Sequence, residues 1–235
     1  MKALRLHPWR VTPAQARSIQ LRLRDRVDQR DRTGSLRGFT RTRDRYVAGA
    51  DVALDLPRNR AIAGVILFRF PQLEEVERVC AVRPLTFPYV PGLLSFREAP
   101  ALLAAFRKLR RAADLIFIDG HGYAHPRRFG IACHIGLLLG RPTIGCAKSL
   151  LIGTHAALRA AAGSRAPLLD KAETIGAAVR TRRGVKPVYV SVGHRISLAR
   201  AVDFTLAAAD GFRIPRPTRL ADHFVEIIKY RGLSE

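Results

Sequence analysis

Several residue types are scarce in this chain. Of 235 residues, three are cysteine, one is methionine and one is tryptophan, and only 19 acids face 41 basic residues. Cys80, Cys133 and Cys146 are too few and too scattered for a disulfide framework, and they form no C-x-x-C pair. A reducing, cytoplasmic compartment is the expectation. No apolar run approaches the ~18 residues of a membrane-spanning helix, so no membrane partner is expected. The opening MKALRLHPWR lacks the apolar core of a signal peptide. No internal repeat or low-complexity linker divides the chain, and no apolar seam marks an obligate dimer. A single domain over residues 1–235, acting as a monomer, is expected.

Arginine is abundant. Six of the 41 basic residues are lysine, which leaves thirty-five arginines, and the formal net charge is +22. A planar guanidinium binds phosphate bidentately, so an excess of this size points to a polyanionic partner such as nucleic acid. The hydrophobic share of 48% is enough for one well-buried core.

The segment TPAQARSIQLRLRDRVDQRDR predicts an N-terminal helix capped by Thr12, with Pro13 in its first turn. RTGSLRGFTRTR, residues 32–43, reads as a basic loop. Strands follow over Tyr46–Leu54, over RAIAGVILFRF and over Glu75–Val82, joined by short turns as in an antiparallel meander. LLSFREAPALLAAFRKLRR has helical spacing, with a kink or break expected at Pro100. ADLIFIDG reads as a buried strand, FGIACHIGLLLG as a helix and RPTIGCAKSLL as a strand. A hairpin is centred near Arg183-Gly184, and SLARAVDFTLAAA and TRLADHFVEIIKYR are closing helices. Three strands followed by helix, strand, helix, strand give an α/β fold, a mixed sheet flanked by helices.

In so basic a chain, an acid on an apolar element needs a reason. Asp51 lies inside the first strand, Glu98 on the first core helix, and Asp119 at the end of the fourth strand. A buried carboxylate must be paired, hydrogen-bonded or bound to a cation. Arginine pairing would satisfy each singly; a hard divalent cation would satisfy them together. His121 and His125 are four apart, but Gly122 and Pro126 favour a loop over a helix, which argues against zinc. Arg127 and Arg128 suit phosphate contacts or a solvated loop. His134 and His194 are expected to be structural.

These residues sit in longer motifs that resemble the endonuclease V (deoxyinosine 3′ endonuclease) family. TFPYVPGLLSFRE (Thr86–Glu98), IDGHGYAHPRRFGIACHIG (Ile118–Gly136) and RPTIGCAKSLL (Arg141–Leu151) are similar to three of its signatures. YVAGADVAL, YVSVGHRIS and RIPRPTRLAD are similar to others, in matching order. The resemblance implies a ribonuclease-H-like fold and a Mg²⁺-dependent endonuclease, with Mn²⁺ expected to substitute. The implied target is hypoxanthine, the base left when adenine is deaminated, in DNA as deoxyinosine or in RNA. The implied cut is at the second phosphodiester bond on its 3′ side. It also implies that Asp51, Glu98 and Asp119 bind metal, and that Asp222 and Lys148 complete the catalytic set. At Asp222 some members carry histidine instead; here His223 stands beside it.

Tyr89, held between Pro88 and Pro91, is then the wedge that fills the gap left by an extruded base. The pocket for that base is read as Gly92, Leu94, Gly120, Gly122 and His125, built largely from backbone. An N–H aimed at O6, a C=O aimed at N1–H and no space at C2 would select hypoxanthine over adenine, which has the opposite pattern. Two other readings share the acids or the target: a junction- or hybrid-specific ribonuclease-H-like nuclease, and a non-catalytic protein that binds deaminated bases.

Overall fold

A computed structural model of the chain describes residues 1–31 and 45–231. The basic loop 32–43 lies outside the described residues. The elements in chain order are α1 (Pro13–Arg24), β1 (Arg45–Asp55), β2 (Arg60–Phe70), β3 (Glu74–Pro84), α2 (Leu94–Lys108), β4 (Leu115–Ile118) and α3 (Ile131–Leu139). They continue as β5 (Thr143–Ala147), β6 (Arg165–Asp170), β7 (Glu173–Val179), β8 (Val188–His194), α4 (Leu198–Ala207) and α5 (Arg216–Arg231).

All eight strands join one sheet in the order β3-β2-β1-β4-β5-β8-β7-β6. The β1–β2 and β2–β3 pairs are antiparallel, while β1, β4 and β5 run parallel. Helices cover both faces, as the sequence pattern led us to expect. Alternation along β1 sends Ala48 and Ala50 to the face under α2 and α3, where they pack with Ala99, Leu102, Phe106 and Ile135. It sends Val47 to the opposite face, with Ile66, Phe117 and Phe204. α5 lies on that second face, where Val225 and Ile228 pack on Ala53 and Ile62. Its first turn rests directly on the β1 backbone: a Cβ at Gly49 would meet the Pro217 carbonyl oxygen at 2.0 Å. No side chain fits at Gly49 while α5 is seated.

Three expectations need correction. α1 stops at Arg24, because the face that buries Ala16, Ile19 and Leu23 ends there. Its start is as expected: the Thr12 side chain accepts from the Gln15 backbone N–H, and the Gln15 side chain accepts from that of Thr12. α2 does not break at Pro100 but runs through it. An internal proline costs a helix about 3 kcal/mol. Burying Phe96, Leu102 and Phe106 around it, at roughly 1.5–3 kcal/mol each, outweighs that cost. Finally, β6 was not foreseen. RAPLLD is a short edge strand containing Pro167, paired with β7 and bridged at Leu169 to Thr154, so it lacks the usual strand signature.

Candidate active site

Parallel pairing puts the end of β4 beside the middle of β1. Ala50 is in register with Ile118, and the Asp119 N–H donates to the Ala50 carbonyl at 3.2 Å. The next residue on each strand is an acid, Asp51 and Asp119. β5, the next parallel strand, ends at Ala147 and delivers Lys148. Lys148 Nζ lies 2.6 Å from Asp119 Oδ2 and 3.0 Å from Asp222 Oδ2. Asp222 arrives on α5, whose seat on Gly49 is two residues from Asp51. Glu98 comes from the other side of the sheet on α2 and is 9% exposed. The structure thus brings together all five residues expected to form the catalytic set.

The electrostatics of this cluster are those of crowded carboxylates. Burial raises the Asp51 carboxyl to about 9, and Asp119 beside it adds to the rise. Burial likewise raises Glu98 to about 8, again with repulsion from Asp119. Asp119 itself is raised by burial, against the pull of Lys148. For Lys148, burial opposes the charge, but Asp119 and Asp222 outweigh it and hold the ammonium protonated. Asp51 also turns one oxygen to the backbone N–H of Val52 at 2.7 Å. Among the described residues no three His, Cys, Asp or Glu side chains are drawn close enough to cage an ion. The Lys148 ammonium bridges two of the acids, Asp119 and Asp222. The donor chemistry nonetheless fits a hard divalent cation: buried carboxylate oxygens, mutually repelling, with one cation already among them.

A cavity of about 210 Å³ opens beside this cluster. Sites for drug-sized ligands run roughly 300–1,000 Å³, so this one suits a single small planar group. Of the residues read as a base pocket, Gly92, Leu94, Gly120 and His125 line it, together with Tyr89, Gln20, Val90, Pro91, Ser95, His121, Gly130, Ile131 and Leu151. Tyr89 stands at the rim, 71% exposed, and Leu94 is 38% exposed there although it belongs to a core helix. Gly122 does not line the cavity. Its N–H donates to Ser191 Oγ at 2.9 Å, which ties the loop down onto β8.

The floor of the cavity is held by hydrogen bonds around Gly92, whose φ of +77° favours glycine. The Gly92 carbonyl accepts from Gln20 Nε2 at 3.0 Å and from Arg127 Nη2 at 2.7 Å. His125 Nδ1 accepts from the Arg127 N–H at 3.1 Å, so its other nitrogen donates to the same Gly92 carbonyl at 3.0 Å. Burial, with Arg127 adding to it, lowers His125 to about 4, and it is neutral near pH 7. Arg127 is therefore used internally. So is Arg128, which lies 2.8 Å from Asp170 and 2.7 Å from Glu173. Of the two expectations for this pair, phosphate contacts or a solvated loop, the solvated loop does not describe it, since both guanidinium groups have partners within the protein. His194 is structural, accepting from the Asp28 N–H at 3.2 Å.

The sequence reading missed Gln20, since nothing in α1 marks it as the strut of a distant loop. It also missed His121, whose buried Nδ1 finds no hydrogen-bond partner.

A sheet with strand order 3-2-1-4-5 at its core, an acid within its first strand, one at the end of its fourth, a third on α2 and a fourth on the last helix define a ribonuclease-H-like protein. Comparison with known proteins narrows this. The family described as Endonuclease V matches residues 26–223. Endonuclease V of Roseiflexus sp. (strain RS-1) is 48% identical over 215 residues, covering 92% of each chain. The crystal structure of Endonuclease V from Streptomyces avermitilis shares 42% identity, with a TM-score of 0.87 over 96% of each chain. Endonuclease V of Ciona intestinalis, in complex with a 24mer DNA containing an inosine followed by a ribo-adenosine, shares 26% identity. Its TM-score is 0.78, over 93% of this chain and 98% of that one. The chain belongs to the endonuclease V family.

Proposed function

We propose that this protein is a divalent-cation-dependent endonuclease that recognises hypoxanthine in DNA and cuts the second phosphodiester bond on its 3′ side. One observation carries the reading: a cavity for one planar group and a cluster of buried acids share the first two turns of α2. Ser95 lines the cavity, and Glu98, one turn on, joins the acids. The Ciona relative, bound to DNA that contains inosine, supports hypoxanthine as the occupant. The ribo-adenosine in that complex extends the reading to RNA.

Asp51, Glu98 and Asp119 would hold Mg²⁺, or Mn²⁺ in its place, with Asp222 beside them. When bound, such an ion lowers the pKa of an attacking water and offsets charge developing on phosphate. The chain's own groups do the rest. Lys148 brings a permanent positive charge to the acids and to any phosphate drawn among them. The cavity keeps an extruded base away from water. Tyr89, exposed at the rim and braced by prolines, occupies the gap in the stack at small entropic cost. The arginine excess binds phosphates without reading sequence.

The test is single-turnover cleavage of matched DNA and RNA strands bearing one hypoxanthine, with Mg²⁺ or with EDTA. Cleavage should require the ion and be lost in Asp119→Ala. Cleavage that persists in EDTA, or full activity in the variant, would overturn the metal assignment. Equal cleavage of strands without hypoxanthine would favour the lesion-indifferent nuclease. Tight binding with no product under either ion would favour the binding protein.

A further inference from the structure

Behind the cavity runs a buried line of polar groups that ends on Ser95; its two histidines have no part in the reading above. His7 Nδ1 lies 2.7 Å from the Pro8 carbonyl, His7 Nε2 lies 2.6 Å from His134 Nε2, and His134 Nδ1 lies 3.1 Å from Ser95 Oγ. His134 is wholly buried, His7 is 7% exposed and Ser95 is 2% exposed. Trp9, Phe96 and Phe129 surround the two rings. Burial lowers both histidines, and both are neutral near pH 7.

The proton positions along this line follow one by one. A carbonyl oxygen only accepts, so His7 carries its proton on Nδ1 and leaves Nε2 bare. His134 must then donate from Nε2, which leaves its own Nδ1 bare. Only one polarity remains for the last link: the Ser95 hydroxyl donates to His134. Its hydrogen points away from the cavity, and the hydroxyl is fixed as an acceptor on the cavity side.

An acceptor there has consequences, because much of the backbone around it is already engaged. The carbonyls of Val90, Gly92, His121, His125 and Gly130 each accept at least one hydrogen bond within the protein. The α2 N-terminus lacks a side-chain cap; the Phe96 N–H turns back to the Leu93 carbonyl, and the N–H groups of Leu94 and Ser95, which have no partner within the helix, remain for a ligand. A donor and an acceptor side by side match the C=O and N–H of a lactam ring. Adenine shows the reverse pattern, a bare ring nitrogen beside an amino group.

Resting on the function proposed above, we infer that Ser95 determines specificity: with its proton held by His134, its oxygen accepts the ring N–H of hypoxanthine and repels the bare N1 of adenine. His134 and His7 are positioning residues, which keep that hydroxyl from turning round. A site built on a hydrogen bond rejects the analogue lacking it far more strongly than a site built on shape.

The test is binding of the full chain in EDTA, by fluorescence anisotropy, to single strands carrying hypoxanthine, adenine or unsubstituted purine at one position. Ser95→Ala should lower the hypoxanthine-to-adenine and hypoxanthine-to-purine binding ratios at least about ten-fold. His7→Phe, which keeps a ring among the aromatics and touches nothing in the cavity, should lower both ratios as well. Nitrogen-15 NMR of the unmodified protein should find the proton on Nδ1 of His7 and on Nε2 of His134. Unchanged ratios in folded Ser95→Ala, or a proton on His134 Nδ1, would overturn the inference, and the NMR result decides even where a variant fails to fold. If the unmodified protein shows no preference for hypoxanthine, the proposed function falls first. A preference that survives both variants removes this inference alone.

Discussion

Lys148 is closer to Asp119 than to any other recorded partner: its ammonium lies 2.6 Å from one oxygen of that carboxylate. The contact joins the ends of two neighbouring parallel strands, β4 and β5, and places the charge of one against that of the other. Asp222 closes the arrangement from α5 at 3.0 Å. Replacing Lys148 by Met should leave four acids, Asp51, Glu98, Asp119 and Asp222, to repel one another without that lysine's charge. Cleavage should fall by about 10²–10³, the loss typical of removing one preorganised charge partner. The rise in Tm on adding Mg²⁺ should grow, because the ion then relieves a larger repulsion. Melts of the variant and parent in EDTA and in Mg²⁺ check this.

Raised carboxyl groups give a pH dependence of definite sign. Glu98 at about 8 and Asp51 at about 9 hold protons in the folded, ion-free protein that the unfolded chain has released. Their contribution to stability is fully present below the ordinary carboxylate range near ~4 and is lost as pH rises toward 8–9. Ion binding must displace those protons, so Mg²⁺ should raise Tm more at pH 8 than at pH 6. The lowered histidines act oppositely, but they act alike with and without the ion, so the difference between the two melts isolates the acids. An equal Mg²⁺ effect at both pH values would contradict the assignment.

Tyr89 is 71% exposed and supports no core. Tyr89→Ala should leave stability within about 0.5 kcal/mol. If the ring stacks in the gap left by the extruded base, binding to a hypoxanthine-containing duplex should weaken by about 1–3 kcal/mol. Single strands, which have no intact stack to refill, should lose less. Paired titrations on duplex and single strand separate a wedge from an ordinary surface tyrosine.

Gly49→Ala places a methyl group where the Pro217 carbonyl already sits. Seating α5 then requires backbone movement, at a cost of about 3 kcal/mol. Because α5 carries Asp222, cleavage should fall with stability. Urea melts should show a lower midpoint with an unchanged slope, as for a destabilised but still cooperative fold.

Arg128 tests the difference between a phosphate contact and an internal tie. It holds Asp170 and Glu173 across the β6–β7 turn, and its own side chain is largely buried. Arg128→Ala should lower stability by about 2 kcal/mol, less than a fully buried pair would lose, because both acids keep some contact with water. The slope of log affinity against log salt should not change, since no phosphate contact is removed.

The sequence made the fold legible where periodicity was strong. RAIAGVILFRF can only be a buried strand, and its short turn from β1 leaves antiparallel pairing as the simple outcome. It was less legible where tertiary packing overrides local preference, as at Pro100, or where an edge strand is half polar, as at Leu168–Asp170. For the site, each acid stood out singly because an acid on an apolar element is costly. That they meet depends on the parallel β1–β4–β5 order and on α5 crossing Gly49, which no local pattern encodes. Motif resemblance supplied that grouping. It did not supply the supports: Gln20 under Gly92, or the His7–His134 line behind Ser95. These join residues 72 and 127 positions apart through single hydrogen bonds.

Ser95 and Glu98 stand on α2 three residues apart, about 4.5 Å of helical rise. The helix between them is packed against the sheet and contains no hinge. The step from cavity to acids is therefore a fixed length, a gauge built from backbone hydrogen bonds. Loop motion elsewhere does not change it. On the function proposed above, which bond of a captured strand meets the acids is measured by that strand's own contour against a rigid rule.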